Sequence, residues 1–111
     1  MGTFTHPITL IGPEGQRQTV EALVDTSRLF ASVPESVLAA LGTTELERGG
    51  DARLGHIDAE LDGHRATIMC VVGADGEPPR IGRHTLDTFL LEANFEEERL
   101  GPMTFRLVQH I

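Results

Sequence analysis

The sequence predicts an all-β fold with two brief helices, and three observations predict it. Short apolar or alternating runs recur at intervals of about 8 to 12 residues, the strand spacing of a barrel or sandwich. Turn chemistry separates them, as at Gly12-Pro13-Glu14-Gly15 and Asp62-Gly63. Helix signals are confined to two stretches, 34–41 and 83–89.

Residues 3–11 alternate polar and apolar side chains and stop at the turn 12–15, so they form a first strand. The second, 16–24, sets Val20, Ala22 and Val24 on one face and Leu23 on the other. Both faces are apolar by its end, which is therefore buried. Residues 29–33 are extended, and Ser32-Val33-Pro34-Glu35 reads as a capping box opening the helix 34–41. Gly42 closes that helix with the left-handed conformation a helix C-terminus favours. The polar stretch 43–55, with Gly49-Gly50 in its middle, is an exposed loop or short hairpin.

Strict alternation over 56–61, the two-residue turn Asp62-Gly63 and the apolar run 64–72 define a hairpin. A loop over 73–79 leads through Arg80-Ile81-Gly82 into the second helix, 83–89. An extended piece at 90–92, a turn at 95–100 and a last strand at 103–108 complete the series. With no repeat, low-complexity tract or linker, residues 1–111 are expected to form one domain around one core.

Composition narrows the function. A hydrophobic fraction of 40% is enough for a packed core and excludes a disordered chain. The net charge of −8 excludes nucleic acid and anionic membranes as expected partners, because phosphate binding needs a basic surface. Cys70 stands alone in an apolar run and is expected to be a buried hydrophobe rather than a disulfide or a nucleophile. Residues 1–20 show no basic leader followed by a long apolar core, so a cytoplasmic location is expected. His56, Asp58 and Glu60 share one strand face with His64 just across the turn, a pattern shared by metal sites and by solvated strand faces. The inward neighbours Ile57, Ala59 and Leu61 favour the solvated face, and neither a metal nor a cofactor is called for.

Ala22-Leu23-Val24-Asp25-Thr26-Ser27 is the feature that demands explanation. Strands tolerate Asp poorly, and a carboxylate at an apolar strand end is costly unless it is bonded, paired or protonated. An acid kept there usually has a task, the alternative being an ordinary turn in which Asp and Ser cap backbone amides.

Leu23-Val24-Asp25-Thr26-Ser27-Arg28, then Leu61-Asp62-Gly63-His64-Arg65-Ala66-Thr67, then Arg80-Ile81-Gly82-Arg83-His84 follow in the order and spacing of a known pattern. Across roughly residues 3–108 the chain resembles the retropepsin-like aspartic proteases, the family of the retroviral proteases and their bacterial relatives. The resemblance implies an acid-protease barrel that acts as a symmetric homodimer, with Asp25 of each chain supplying half of a catalytic pair. Such a pair hydrolyses peptide bonds with two carboxylates about 3 Å apart sharing one proton, one activating water while the other protonates the carbonyl oxygen. Thr26 and Ser27 would then support the active-site loop, and Arg28, Gly49, Gly50, Ile81 and Gly82 would line the cleft. Segment 45–55 is the candidate cover, and the terminal strands would build the dimer sheet. The partners implied are a second copy of the chain and a peptide or protein substrate.

Ser27 stands where the family has Gly, and Arg28 stands where it has a small residue. A cation beside the acid favours the ionised carboxylate, and two such arginines facing one cleft would favour acidic peptides. These departures motivate the alternative expectation, a binding or assembly module that keeps the barrel and has lost turnover.

Overall fold

The computed structural model describes residues 3–42, 47–49 and 52–103, with 47–49 and 52–53 described in backbone alone. Chain order is β1 Thr5–Ile11, β2 Arg17–Val24, β3 Ala31–Pro34, α1 Glu35–Ala40, β4 Glu47–Gly49, β5 Ala52–Leu61, β6 His64–Gly73, β7 Arg80–Ile81, α2 Arg83–Thr88, β8 Leu91–Asn94 and β9 Arg99–Pro102. The mostly β architecture with two short helices agrees with the sequence.

Strands β1 to β7 form one sheet in the order β1-β2-β7-β3-β6-β5-β4, and β1 also pairs with β5, so the pairings return to their starting strand. Such closure satisfies backbone groups that an edge strand would leave open. Two hairpins set the register. Between β1 and β2, Gly12 N–H donates to the Gln16 carbonyl at 2.7 Å, and Gly15 takes a φ of 88° that a side chain would resist. Between β5 and β6, Asp62 and Gly63 both have positive φ, 51° and 84°, the geometry of a tight turn matched to strand twist. That register turns Ile57, Ala59 and Leu61 of β5 and Ile68 and Cys70 of β6 into the core. His56, Asp58 and Glu60 face outward, as the alternation predicts; Arg65 and Thr67 bond Asp58, and Arg17 bonds Glu60. Burial pushes the Cys70 thiol up to about 11, so it stays protonated and unreactive at neutral pH.

Leu38 and Leu41, from α1 and its end, join Leu10, Val24, Leu61, Ile68 and Ile81 in the core. The predicted capping box does not form. Ser32 is buried in β3, its backbone paired beside Val71 and Arg80, and Pro34 is the N-cap without a side-chain bond. The missing acceptor comes from the β6–β7 loop, where Asp75 Oδ1 accepts from Ser36 N–H at 2.9 Å. That backbone bond is the main cause holding the Asp75 carboxyl below the ordinary range. Gly42 ends the helix at φ 79°, as expected.

The C-terminal part differs from the sequence reading in its boundaries. Leu90, expected to be extended, has a φ of 55°, and β8 starts one residue later. The turn expected at 95–100 closes early because Asn94 Oδ1 accepts from Glu96 and Glu97 N–H at 3.1 and 3.0 Å. Residues 99–102 are thus freed to form β9 against β8. The strand expected at 103–108 lies beyond the described residues except for Met103. Phe95 packs edge-on to Phe4, ring centroids 5.4 Å apart, tying this small sheet to the start of the chain. No helix among the described residues is long and apolar enough to cross a membrane.

The hydroxyl of Thr85 on α2 is fully buried and has no hydrogen-bond partner among the described residues. An orphaned buried hydroxyl costs about 1 to 3 kcal/mol, and Val replaces it with a methyl of the same shape. Thr85→Val is therefore expected to raise the thermal midpoint, measured by calorimetry. A lowered midpoint would show that the hydroxyl has a partner after all.

Candidate active site

β2 delivers Asp25 to a crowded backbone crossing. Leu23 and Val24 pair in parallel with Arg80 and Ile81 of β7, and Asp25 N–H continues that ladder by donating to the Ile81 carbonyl at 3.0 Å. On the other side Val24 N–H donates to the Phe4 carbonyl at 2.9 Å, and Val24 is wholly buried. One face of the strand end is enclosed as expected, with Ala22 and Val24 buried, while Leu23 on the other face is only half-buried.

Beyond this point the chain turns on the acid itself. Arg28 N–H donates to the Asp25 carbonyl at 3.2 Å, while Ser27 gives Asp25 Oδ1 both its N–H, at 3.1 Å, and its hydroxyl, at 2.5 Å. Ser27 has no positive φ, so the backbone here does not demand glycine. Residues 28–30 then cross the start of α2, where the Arg28 and Leu29 carbonyls accept from Arg83 and His84 N–H at 2.9 and 2.8 Å. Gly82 lies beneath that crossing, where a Cβ would come within 2.6 Å of the Phe30 carbonyl oxygen.

The electrostatics follow from these contacts. Ser27 occupies Oδ1. Toward Oδ2 come Arg28 Nε at 3.4 Å and Arg80 Nε at 3.7 Å, ion-pair distances too long for a good hydrogen bond. The Asp25 side chain is 26% exposed. The Ser27 hydroxyl is the largest cause that lowers its pKa; burial opposes it, and the Ser27 amide, Arg28 and Arg80 add to the lowering. The carboxylate therefore stays ionised to lower pH than an ordinary Asp. Among the described residues Oδ2 accepts no hydrogen bond, which leaves its lone pairs for a proton or a water.

Of the residues singled out in the sequence, Asp25, Thr26, Ser27, Arg28, Ile81 and Gly82 meet at this crossing. Gly49 ends β4, paired with Ala52 of β5, and Gly50 lies outside the described residues, so the 45–55 cover is described only as the β4–β5 pairing. Arg80 was given no role by the sequence reading. The signal was a charged residue directly before Ile81-Gly82, in a strand whose parallel pairing with Leu23 brings it beside the acid.

Two solved structures share this architecture. A retropepsin-like aspartic protease from Rickettsia conorii superposes with a TM-score of 0.53 at 17% identity, over 78% of this chain and 82% of that one. The retroviral protease-like domain of Ddi1 from Leishmania major gives 0.64 at 14% identity, over 92% and 89%. The chain has a retropepsin-like fold. No protein-family model matches it, and no curated protein matches it significantly in sequence. At such identities the likeness speaks for the fold, and the chemistry of this retropepsin-like chain rests on its own residues.

Two cavities flank different parts of the fold. The larger, about 460 Å³, lies between the β1–β2 turn and the outer face of β5, and its carboxylate, Asp58, is already taken by Arg65 and Thr67. A smaller one of about 290 Å³ touches the Asp25 loop through Thr26 and Leu29 and continues over Leu86, Leu91 and Met103. The smaller bears on the candidate site through Thr26, the residue that follows Asp25. No group of three or more metal-ligating side chains converges among the described residues.

Proposed function

We propose that this chain is an aspartic-type endopeptidase working as a symmetric homodimer, with one Asp25 from each protomer forming the catalytic pair. The observation that carries the reading is the Asp25 carboxylate itself, fixed at the β2–β7 crossing with Oδ1 bonded by Ser27 and Oδ2 left open. One carboxylate cannot serve as base and acid in the same step, and twofold symmetry supplies the second. Two acids about 3 Å apart cannot both ionise, so they hold one proton between them and titrate as a pair. The ionised member takes a proton from water while the protonated member gives one to the carbonyl oxygen of the scissile bond. Water is the nucleophile, and no cofactor enters.

The surface beside the loop supports such pairing. Leu29 and Leu90 are large apolar side chains left 48% and 56% exposed, and the cavity over Leu86, Leu91 and Met103 runs directly into Thr26. On this reading the ring of strand pairings is the acid-protease barrel, Thr26 braces the two loops across the twofold axis, and Ile81 and Gly82 form the cleft floor. The likeness to a protein described as a retropepsin-like aspartic protease adds support at the level of fold. A cytoplasmic setting suits the single buried thiol.

A second reading is favoured by one observation. Both arginines stabilise the ionised form of Asp25, whereas the pair needs a shared proton. A chain in which that pull dominates is an inactive barrel used for binding. Sedimentation equilibrium with a peptide-library digest from pH 3 to 7 separates the two. The peptidase reading expects a dimer whose cleavage products appear on the acid side of that range. A dimer that cleaves nothing supports the binding module, and a monomer under all conditions sinks the shared-pair mechanism.

A further inference from the structure

We propose that Arg28 and Arg80 form an anion-recognition pair that selects peptides carrying an acidic side chain beside the scissile bond. The inference rests on the peptidase reading and names its substrate class.

Arg28 reaches the carboxylate from the loop after it, and Arg80 reaches it from β7, so two separate elements bring guanidinium groups to the same oxygen. Neither donates a hydrogen bond from its side chain to a described residue; Arg28 has only the 3.4 Å approach, and Arg80 has the 3.7 Å approach plus Glu77 Oε2 at 3.8 Å. Among the described residues the donors of both planar forks are therefore free of hydrogen bonds, and carboxylates are the groups such forks bind in pairs. Arg80 is only 21% exposed, so an anion bound there meets a partly desolvated partner and is held more strongly than at a wet surface.

Charge counting gives the same answer. In a symmetric dimer four guanidinium groups face two Glu77 carboxylates and one shared negative charge on the acid pair, which leaves one positive charge uncompensated in the proton-sharing state. A substrate carboxylate fills that deficit. It also draws an arginine away from Oδ2, and the acid pair then holds its shared proton more readily. The chain's net charge of −8 would by itself repel acidic peptides, so a preference for them reports these local arginines and not the overall field.

The test uses two degenerate octapeptide mixtures that differ only at the residues flanking the central bond, Asp or Glu in one and Asn or Gln in the other. The dimer is expected to cleave the acidic mixture with a kcat/KM about tenfold or more above the amide mixture, the scale of one charge-assisted contact. Arg80→Gln and, independently, the half-exposed Arg28→Gln are each expected to bring that ratio toward one. Equal cleavage of both mixtures by the unaltered protein overturns the inference and leaves the peptidase reading standing. A ratio unmoved in both variants likewise overturns it. Cleavage of neither mixture between pH 3 and 7 overturns inference and peptidase reading together.

Discussion

Asp25→Asn is expected to lower kcat/KM by on the order of 10⁴-fold, the upper range for a positioned acid or base, while leaving the dimer assembled. Asn has nearly the size of Asp, and its carbonyl oxygen can still accept the Ser27 amide and hydroxyl where Oδ1 now does. The substitution removes the titrating proton from both halves of the pair at once. A stability measurement separates loss of chemistry from loss of fold. In the separate protomer Ser27 above all, with Arg28 and Arg80, depresses the folded-state pKa of Asp25, so its stabilising contribution is present above the ordinary carboxylate range and fades as pH falls through the lowered value. At dilutions that separate the protomers the variant should thus be slightly less stable than the parent near neutrality, with the two melting curves converging in strong acid. Sedimentation should show the dimer unchanged. Retained hydrolysis in Asp25→Asn would remove Asp25 from the mechanism, whatever the fold.

Features written locally in the chain were legible from sequence. The Asp62-Gly63 turn needs only two residues able to take positive φ, and the alternation over 56–61 states which face is buried. Asp25 was legible because an acid ending a two-faced apolar strand is anomalous without any partner in view. Features decided by distant backbone were not. Ser32 sits three residues before Glu35 in a capping pattern, but pairing with β6 and β7 claims it, and the cap comes from Asp75, 39 residues from its partner Ser36. Arg80 escaped for the same reason, since nothing within its own strand reveals that parallel pairing with β2 sets it beside Asp25. The orientation of Arg28 is decided by a loop that turns on the acid and returns its third residue toward Oδ2.

Gly82→Ala is expected to damage the fold at the crossing that holds the candidate site. Gly82 has φ −97° and ψ 179°, extended backbone open to any residue, so the penalty owes nothing to conformational freedom. It is steric. An added Cβ would stand 2.6 Å and 2.7 Å from the Phe30 carbonyl oxygen and carbon and 2.8 Å from the Leu29 carbonyl oxygen, all main-chain atoms that no rotamer change can move. Relief requires the 28–30 segment to shift, and that segment is bonded to α2 through the Arg28 and Leu29 carbonyls and sets Arg28 toward Asp25. Overpacking of this kind costs about 1 to 3 kcal/mol, enough to lower the thermal midpoint by at least several degrees in a domain of this length. Activity should fall beyond what the unfolded fraction explains, because the displaced segment carries Arg28 and adjoins the Asp25 turn. Gly101→Ala is the control: its Cβ would meet nothing within 4 Å and its φ is ordinary, so its effect should stay within about 0.5 kcal/mol. If both variants melt with the parent, the 28–30 segment yields freely, and the close crossing is not what holds the acid in place.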